Sequence, residues 1–325
     1  MKRTATALLG ATALAATLGL SACGEESTGS GGQDSYQIGI TQIVEHPSLD
    51  AAREGFKQAL ADAGLEVSYD EQNAQGDQST ATSIATTFAS SDLDLVLAIA
   101  TPTAQASVQA ITDVPILVTA VTDPVEAGLV DSWDAPGGNV TGTSDINPVD
   151  EQLGLLTELA PEVQTVGIVY SAGEVNSTIQ VDLARTAAED LGLQVEEATV
   201  TNSAEVQQGA ESLDVDAYYV PTDNTVVSAL EALLQVAESR SLPVIAAEGD
   251  SVERGALATY GLDYERLGYQ TGEMAVQVLT EGADPAAMPI ETQDELSLVL
   301  NADTAERIGL ELPPELVDSA DTVYE

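Results

Sequence analysis

The sequence predicts an α/β protein built as two doubly wound parallel-sheet lobes joined by a hinge. Three observations carry this. From residue 36 onward, short β-rich apolar runs that end in turn residues alternate with longer helical patterns. The pattern restarts near residue 165, where QTVGIVY echoes the YQIGIT that opens the first series, and the turn cluster DAPGGN at 134–139 lies between them. About 290 residues remain after the N-terminal segments, more than one small core holds.

In chain order, the expected strands are Gln37–Thr41, Glu66–Tyr69, Leu95–Ala98, Ile116–Thr119, Val166–Tyr170, Gln194–Glu197, Ala217–Val220, Val244–Ala246 and Leu296–Leu300. The first helix is expected to be capped by Ser48, to carry an apolar stripe of Leu49, Ala52, Phe56, Ala59, Leu60 and Ala63, and to stop at Gly64. Further helices are expected near 77–89, 102–110, 149–160, 176–190, 203–212, 224–239 and 263–281. Crossings between lobes near 141–147, 250–260 and 290–295 divide the chain into lobe 1 (36–143 plus 259–292) and lobe 2 (144–258 plus 293–325). Phe56 and Phe88 fall on apolar helical faces and read as core.

The N-terminus reads as an export signal. Lys2 and Arg3 precede the uncharged apolar stretch 4–20, and Leu20-Ser21-Ala22-Cys23 resembles the lipobox at which a signal peptidase leaves a diacylated cysteine. Residues 1–22 are then a lipoprotein signal peptide, Cys23 the lipidation site, and 23–35, rich in Gly, Ser and acid, a flexible tether. The expected location is extracytoplasmic, with the membrane reached through lipid on Cys23. Loss of Lys2 and Arg3 leaves seven basic residues against 54 acidic, a net charge of −47. Such a surface repels nucleic acid and anionic headgroups. It suits a saline environment; a lineage-wide acidic bias in exported proteins explains it equally well.

In open α/β sheets, ligands sit beyond the carboxyl ends of the strands. Those ends gather Thr41, Gln42, Glu45 and His46; Thr101 and Thr103; Thr122 and Asp123; Tyr170, Asn176 and Ser177; Thr222, Asp223 and Asn224; and Glu248 and Asp250. Taken singly, each is also an ordinary cap or helix start. Six such patches on one edge argue for a cleft. One histidine and one cysteine exclude a His-rich or Cys-rich metal site, and neither metal nor cofactor is expected. The G-x-S-x-G, G-x-x-x-x-G-K-[ST] and G-x-G-x-x-G patterns are missing from the sequence, so no enzyme chemistry is expected.

The segments YQIGITQIVEHPSLDAAREGFKQAL, NAQGDQSTA, ILVTAVTDPVEAGLV, PGGNVTGTSD, YVPTDNTVVSAL and RGALATYGLDYERLG together resemble one family, from about Tyr36 to the C-terminus. It is the substrate-binding lipoproteins of ABC importers whose better-known members take tryptophan, tyrosine or phenylalanine. The resemblance implies a type I periplasmic-binding-protein fold, one small ligand in the cleft, and an ABC permease with its ATPase as partner. For an amino-acid ligand, the helix starts at Thr101–Thr103 and Asn176–Ser177 offer N–H groups to the carboxylate. Asp223, then Asp123, offers a partner to the ammonium. Gln42, Glu45 and His46 frame the side chain, with Tyr170 or Tyr260 as an aromatic wall. The segment Ala247-Glu248-Gly249-Asp250 departs from the more Asp-rich stretch of the family. Another solute, nucleoside or sugar, and a surface sensor or adhesin remain the alternatives.

Overall fold

The computed structural model describes residues 35–325 except Asp294. The expected signal peptide, the expected lipidation site Cys23 and the expected tether up to residue 34 lie outside the described residues.

The first lobe is a five-stranded parallel sheet in the order β2-β1-β3-β4-β5. It runs β1 (Ser35–Gln42), α1 (Pro47–Asp62), β2 (Glu66–Asn73), α2 (Gln78–Phe88), β3 (Leu95–Ile99), α3 (Thr101–Ala110), β4 (Ile116–Val121) and β5 (Val140–Ser144). Strands β3 and β4 are buried along their whole length, as the continuous apolar runs LVLAI and ILVTAV require of strands covered on both faces. At the edge, β2 alternates between exposed and half-buried residues, in keeping with its charged sequence.

The second lobe begins with α4 (Val149–Leu159), β6 (Thr165–Ser171), α5 (Val175–Leu191), β7 (Gln194–Val200), α6 (Val206–Glu211) and β8 (Ala217–Val220). It continues through α7 (Asn224–Val227), α8 (Leu230–Ser239), β9 (Val244–Ala246), α9 (Gly249–Glu253) and β10 (Ala258–Gly261). The chain then returns to the first lobe as α10 (Tyr264–Val276) and comes back as β11 (Ser297–Asn301), α11 (Ala302–Ile308), α12 (Pro314–Ser319) and β12 (Thr322–Tyr324). The sheet order is β12-β11-β10-β9-β8-β6-β7, parallel except for the antiparallel pair β10–β11.

The nine expected strands are all present. Strands β5, β10 and β12 were not expected. VTGTS and ATYG are short and rich in small polar residues, and β-structure there is imposed by the neighbouring strand. Because β10 pairs in the seven-stranded sheet, the return expected at 259 occurs after Gly261. The expected helix 224–239 is divided at Ser228–Ala229 into α7 and α8. Ser48 is not the cap of α1: the helix opens at Pro47, His46 occupies the cap position, and no side chain caps it. Proline at the first helical position places the cap at residue 46, two positions before the expected one.

Helix α10 joins the first lobe by packing on α1 at very close range. A Cβ on Gly268 would stand 1.8 Å from the carbonyl oxygen of Ala52, and one on Gly55 1.9 Å from that of Glu265. Only hydrogen on both faces allows this approach. Phe56 and Phe88 are fully buried in the core of the same lobe. Among the described residues no helix is long and apolar enough to cross a membrane.

Candidate functional site

Where the strand ends of the two sheets meet, a narrow cavity is lined from both lobes. From the first come His46, Ser48 and Leu49 at the start of α1, and Ala120 near the end of β4. From the second come Asn176, Thr222, Asp223, Asn224, Val227 and Glu248. Asp145 and Tyr264 contribute from two of the crossings. Backbone strain gathers at this edge: Ala100 (φ 78°), just before α3, and Ala120 (φ 55°) are non-glycine residues in the left-handed region. Such conformations cost about 1–3 kcal/mol and concentrate at functional sites.

The crossings are tied together at the cavity. The Tyr264 hydroxyl donates to Asp145 Oδ2 at 2.7 Å, and Thr122 Oγ1 donates to Asp145 Oδ1 at 2.9 Å. Thr122 and Thr222 bring their hydroxyls to 3.4 Å across the cleft. Asp223 is fully buried; it accepts from Val226 N at 2.8 Å as the cap of α7 and from Ser171 N at 2.6 Å. Beside it, Glu174 accepts from Asn224 Nδ2 at 2.6 Å and from Thr225 Oγ1 at 2.8 Å.

Among the lining residues none is Lys or Arg, while three are acids. Burial first, then the neighbouring charge of Glu174, raises Asp223 to about 7. Burial likewise raises Asp145 and Glu248. His46 is lowered to about 4, chiefly by burial, although the approach of the Asn224 amide opposes this. Among the described residues, the buried polar atoms at this edge without a hydrogen-bond partner include Thr41 Oγ1, His46 Nδ1, Thr101 Oγ1 and Asn176 Oδ1. The Ser48 hydroxyl approaches the carboxyls of Glu248 and Asp250 and offsets part of the upward push that burial gives both.

These shifts predict opposing pH dependences. Between pH 6.5 and about 4 the unfolded chain protonates a histidine that the native state keeps neutral, so the His46 contribution to stability is lost as pH falls. Between about 7 and 3.8 native Asp223 holds a proton that the unfolded chain has released, so its contribution is gained as pH falls. His46→Gln removes the first slope alone. Its urea stability relative to wild type is expected to improve by about 2 kcal/mol between pH 7 and pH 5. A parallel pair of stability profiles refutes a buried neutral histidine.

A model of the family described as ABC transporter substrate binding protein matches residues 37–324. The chain belongs to this family. A relative, the Tyrosine-binding protein of Clostridioides difficile (strain R20291), is 47% identical over 280 residues, 84% of this chain and 81% of that one. Among solved structures, an ABC domain from Streptococcus pneumonia in complex with L-Trp is 37% identical with a TM-score of 0.86, covering 89% of this chain and 100% of that one. The ligand-free, open structure of CD0873, a substrate binding protein with adhesive properties from Clostridium difficile, is 47% identical with a TM-score of 0.68, covering 89% and 99%.

In this substrate-binding protein, six of the residues that the sequence placed at the strand ends line the cavity together: His46, Asn176, Thr222, Asp223, Asn224 and Glu248. Thr122 and Ser177 stand directly behind them, Thr122 on Asp145 and Thr222, Ser177 against Asp223. Thr41 and Thr101 are buried at the ends of their elements, and Thr103 turns back onto the carbonyl oxygens of Ile99 and Ala100. Other expected residues lie elsewhere. Gln42 and Glu45 line a separate outer groove, where the Gln42 amide donates to Asp50 Oδ1 at 2.9 Å. Asp123 caps the turn that follows it, accepting from Val125 N at 2.9 Å and Glu126 N at 3.0 Å.

Neither Tyr170 nor Tyr260 lines the cavity. Both pack in the second lobe, Tyr170 donating to Glu197 at 3.1 Å. Asp250 is half-buried behind Glu248, in the first turn of α9. Ser48, read as a cap, and Leu49, Ala120, Asp145, Val227 and Tyr264 were not expected in the site. The aromatic residue of the lining is Tyr264, brought in by the return of the chain at α10. Its cue was the N-cap pattern Asp263-Tyr264, directly after a crossing.

Proposed function

We propose that the chain is the lipid-anchored, extracytoplasmic receptor of an ABC importer and captures an aromatic amino acid between its lobes. The lining of the interlobe cleft carries this reading. It offers a buried carboxyl at Asp223, apolar flanks at Leu49 and Val227, and an aromatic ring at Tyr264. Asp223 is the partner for the ligand's ammonium, with the unpaired Asn176 Oδ1 as a second acceptor. Similarity to the L-Trp complex supports the reading. That structure superposes better than the open one despite its lower identity, as expected of lobes drawn together.

Capture then works by closure. A ligand that touches both lobes stabilises the closed arrangement, which the permease and its ATPase recognise. Calorimetric titration of ligand-free protein with L-tryptophan, L-tyrosine and L-phenylalanine is expected to give saturable binding of at least one, with Kd of about 10⁻⁸ to 10⁻⁶ M. Glucose and adenosine are expected to give none. No heat from any of the three amino acids sinks the assignment. The anchor has its own test. Cys23→Ala is expected to move the folded protein from membranes to the medium; equal retention of the two proteins rules the lipid out. A second reading, adhesion alongside capture, is favoured by the likeness to CD0873. A neighbouring pair of permease and ATPase genes favours transport.

A further inference from the structure

Resting on the capture of an amino group proposed above, we propose that Glu174 is the positioning residue of the site. From outside the cavity lining, it fixes the amides of Asn176 and Asn224 so that one carbonyl oxygen serves the ligand and the other holds the opposite lobe. Glu174 occupies the cap position of α5, yet its side chain does not cap that helix. The residue lines a neighbouring groove, and its buried carboxyl reaches across to the segment that opens α7. There Oε2 accepts from Asn176 Nδ2 at 3.2 Å, from Asn224 N at 3.2 Å and from Asn224 Nδ2 at 2.6 Å. Oε1 accepts from Thr225 N at 3.1 Å and Thr225 Oγ1 at 2.8 Å.

A carboxylate only accepts, so each asparagine must give it the NH₂ end and keep the carbonyl oxygen for other partners. Asn176 Nδ2 is held further by the Thr222 carbonyl oxygen at 2.8 Å. Its Oδ1, buried at the cavity, is left without a protein partner. The Asn224 carbonyl oxygen accepts from the imidazole of His46, which belongs to the first lobe. With Asp223 beside them, these oxygens make an acceptor wall on the second lobe.

Glutamine at position 174 keeps the shape but carries an NH₂ group in place of one acceptor oxygen. It cannot accept on both sides. At least one asparagine must then turn, bringing an NH₂ group against the ligand's ammonium or against the His46 N–H. Buried donors that face each other are left unsatisfied, which costs more than the lost hydrogen bond.

The test compares Glu174→Gln, Thr225→Val and Asn176→Ala with wild type in two measurements. The first is calorimetry with L-tryptophan, L-tyrosine and L-phenylalanine. Glu174→Gln is expected to weaken the tightest of the three about tenfold to a hundredfold. Thr225→Val takes a hydroxyl from the same carboxyl and leaves both amides in place; it is expected to melt earlier and to keep affinity within about twofold. The second measurement is the imidazole nitrogen NMR spectrum of tag-free protein without added ligand, where His46 is the single histidine. Its signal is expected to move in Glu174→Gln and to stay in the other two variants. Asn176→Ala removes one oriented amide and is expected to lose affinity as Glu174→Gln does. Unchanged affinity in Asn176→Ala overturns the proposal even where Glu174→Gln is too unstable to titrate. Wild-type affinity in Glu174→Gln overturns it too, as does an equal loss in Thr225→Val. Wild type that binds none of the three amino acids overturns the aromatic reading; the His46 signal then decides the role of Glu174, and an unmoved signal in Glu174→Gln refutes it.

Discussion

Asp223→Ala is expected to weaken aromatic amino-acid binding at least about a hundredfold, with the circular dichroism spectrum unchanged. Removing a buried charge partner costs about 2–5 kcal/mol of affinity. The structure adds a second effect. Asp223 caps α7 through Val226 N and holds Ser171 N, so the variant also loses stability, by about 0.5–2 kcal/mol for the cap. A lowered melting temperature is therefore expected under either role, and only affinity separates them. Isothermal titration beside thermal denaturation decides the matter. Near-normal affinity in a destabilised variant reduces Asp223 to a cap.

Gly268→Val is expected to destabilise the fold by about 3 kcal/mol or more. Its Cβ would meet the backbone of Ala52 at 1.8 Å for oxygen and 2.5 Å for carbon. Backbone cannot rotate aside as a side chain can, so α1 and α10 must separate. Their N-termini carry His46 and Ser48 on one side and Tyr264 on the other, and the separation disturbs the cavity as well as the core. A urea midpoint well below that of wild type, with an unchanged slope, is the expected signature. Gly154→Ala is the control: nothing lies within 4 Å of the added carbon, and helix propensity favours alanine by about 0.5–1 kcal/mol. Equal stability of Gly268→Val and wild type contradicts the close packing.

The alternation of β-rich runs and helical stripes was enough to give two parallel α/β lobes and all nine expected strands, because burial on both faces demands long apolar runs such as LVLAI. It also brought forward the polar strand ends, of which His46, Asn176, Thr222, Asp223, Asn224 and Glu248 meet in one cavity. Local chemistry was legible for Asp223, since an acid before a helical segment reads as a cap whatever surrounds it.

What the sequence could not decide was direction and partnership. Gln42 and Glu45 share the loop of His46 but turn to an outer groove, where Gln42 meets Asp50. Tyr170 and Tyr260 sit on strands whose pleat sends them into second-lobe packing. Tyr264 and Asp145 are 119 positions apart and meet at 2.7 Å only because two crossings run side by side. The sequence by itself determined fold class, lobe count and the chemical character of the cleft, since these follow from local periodicity and composition. Tertiary structure alone decided which polar groups face inward, because that depends on strand register and on where the chain crosses between lobes.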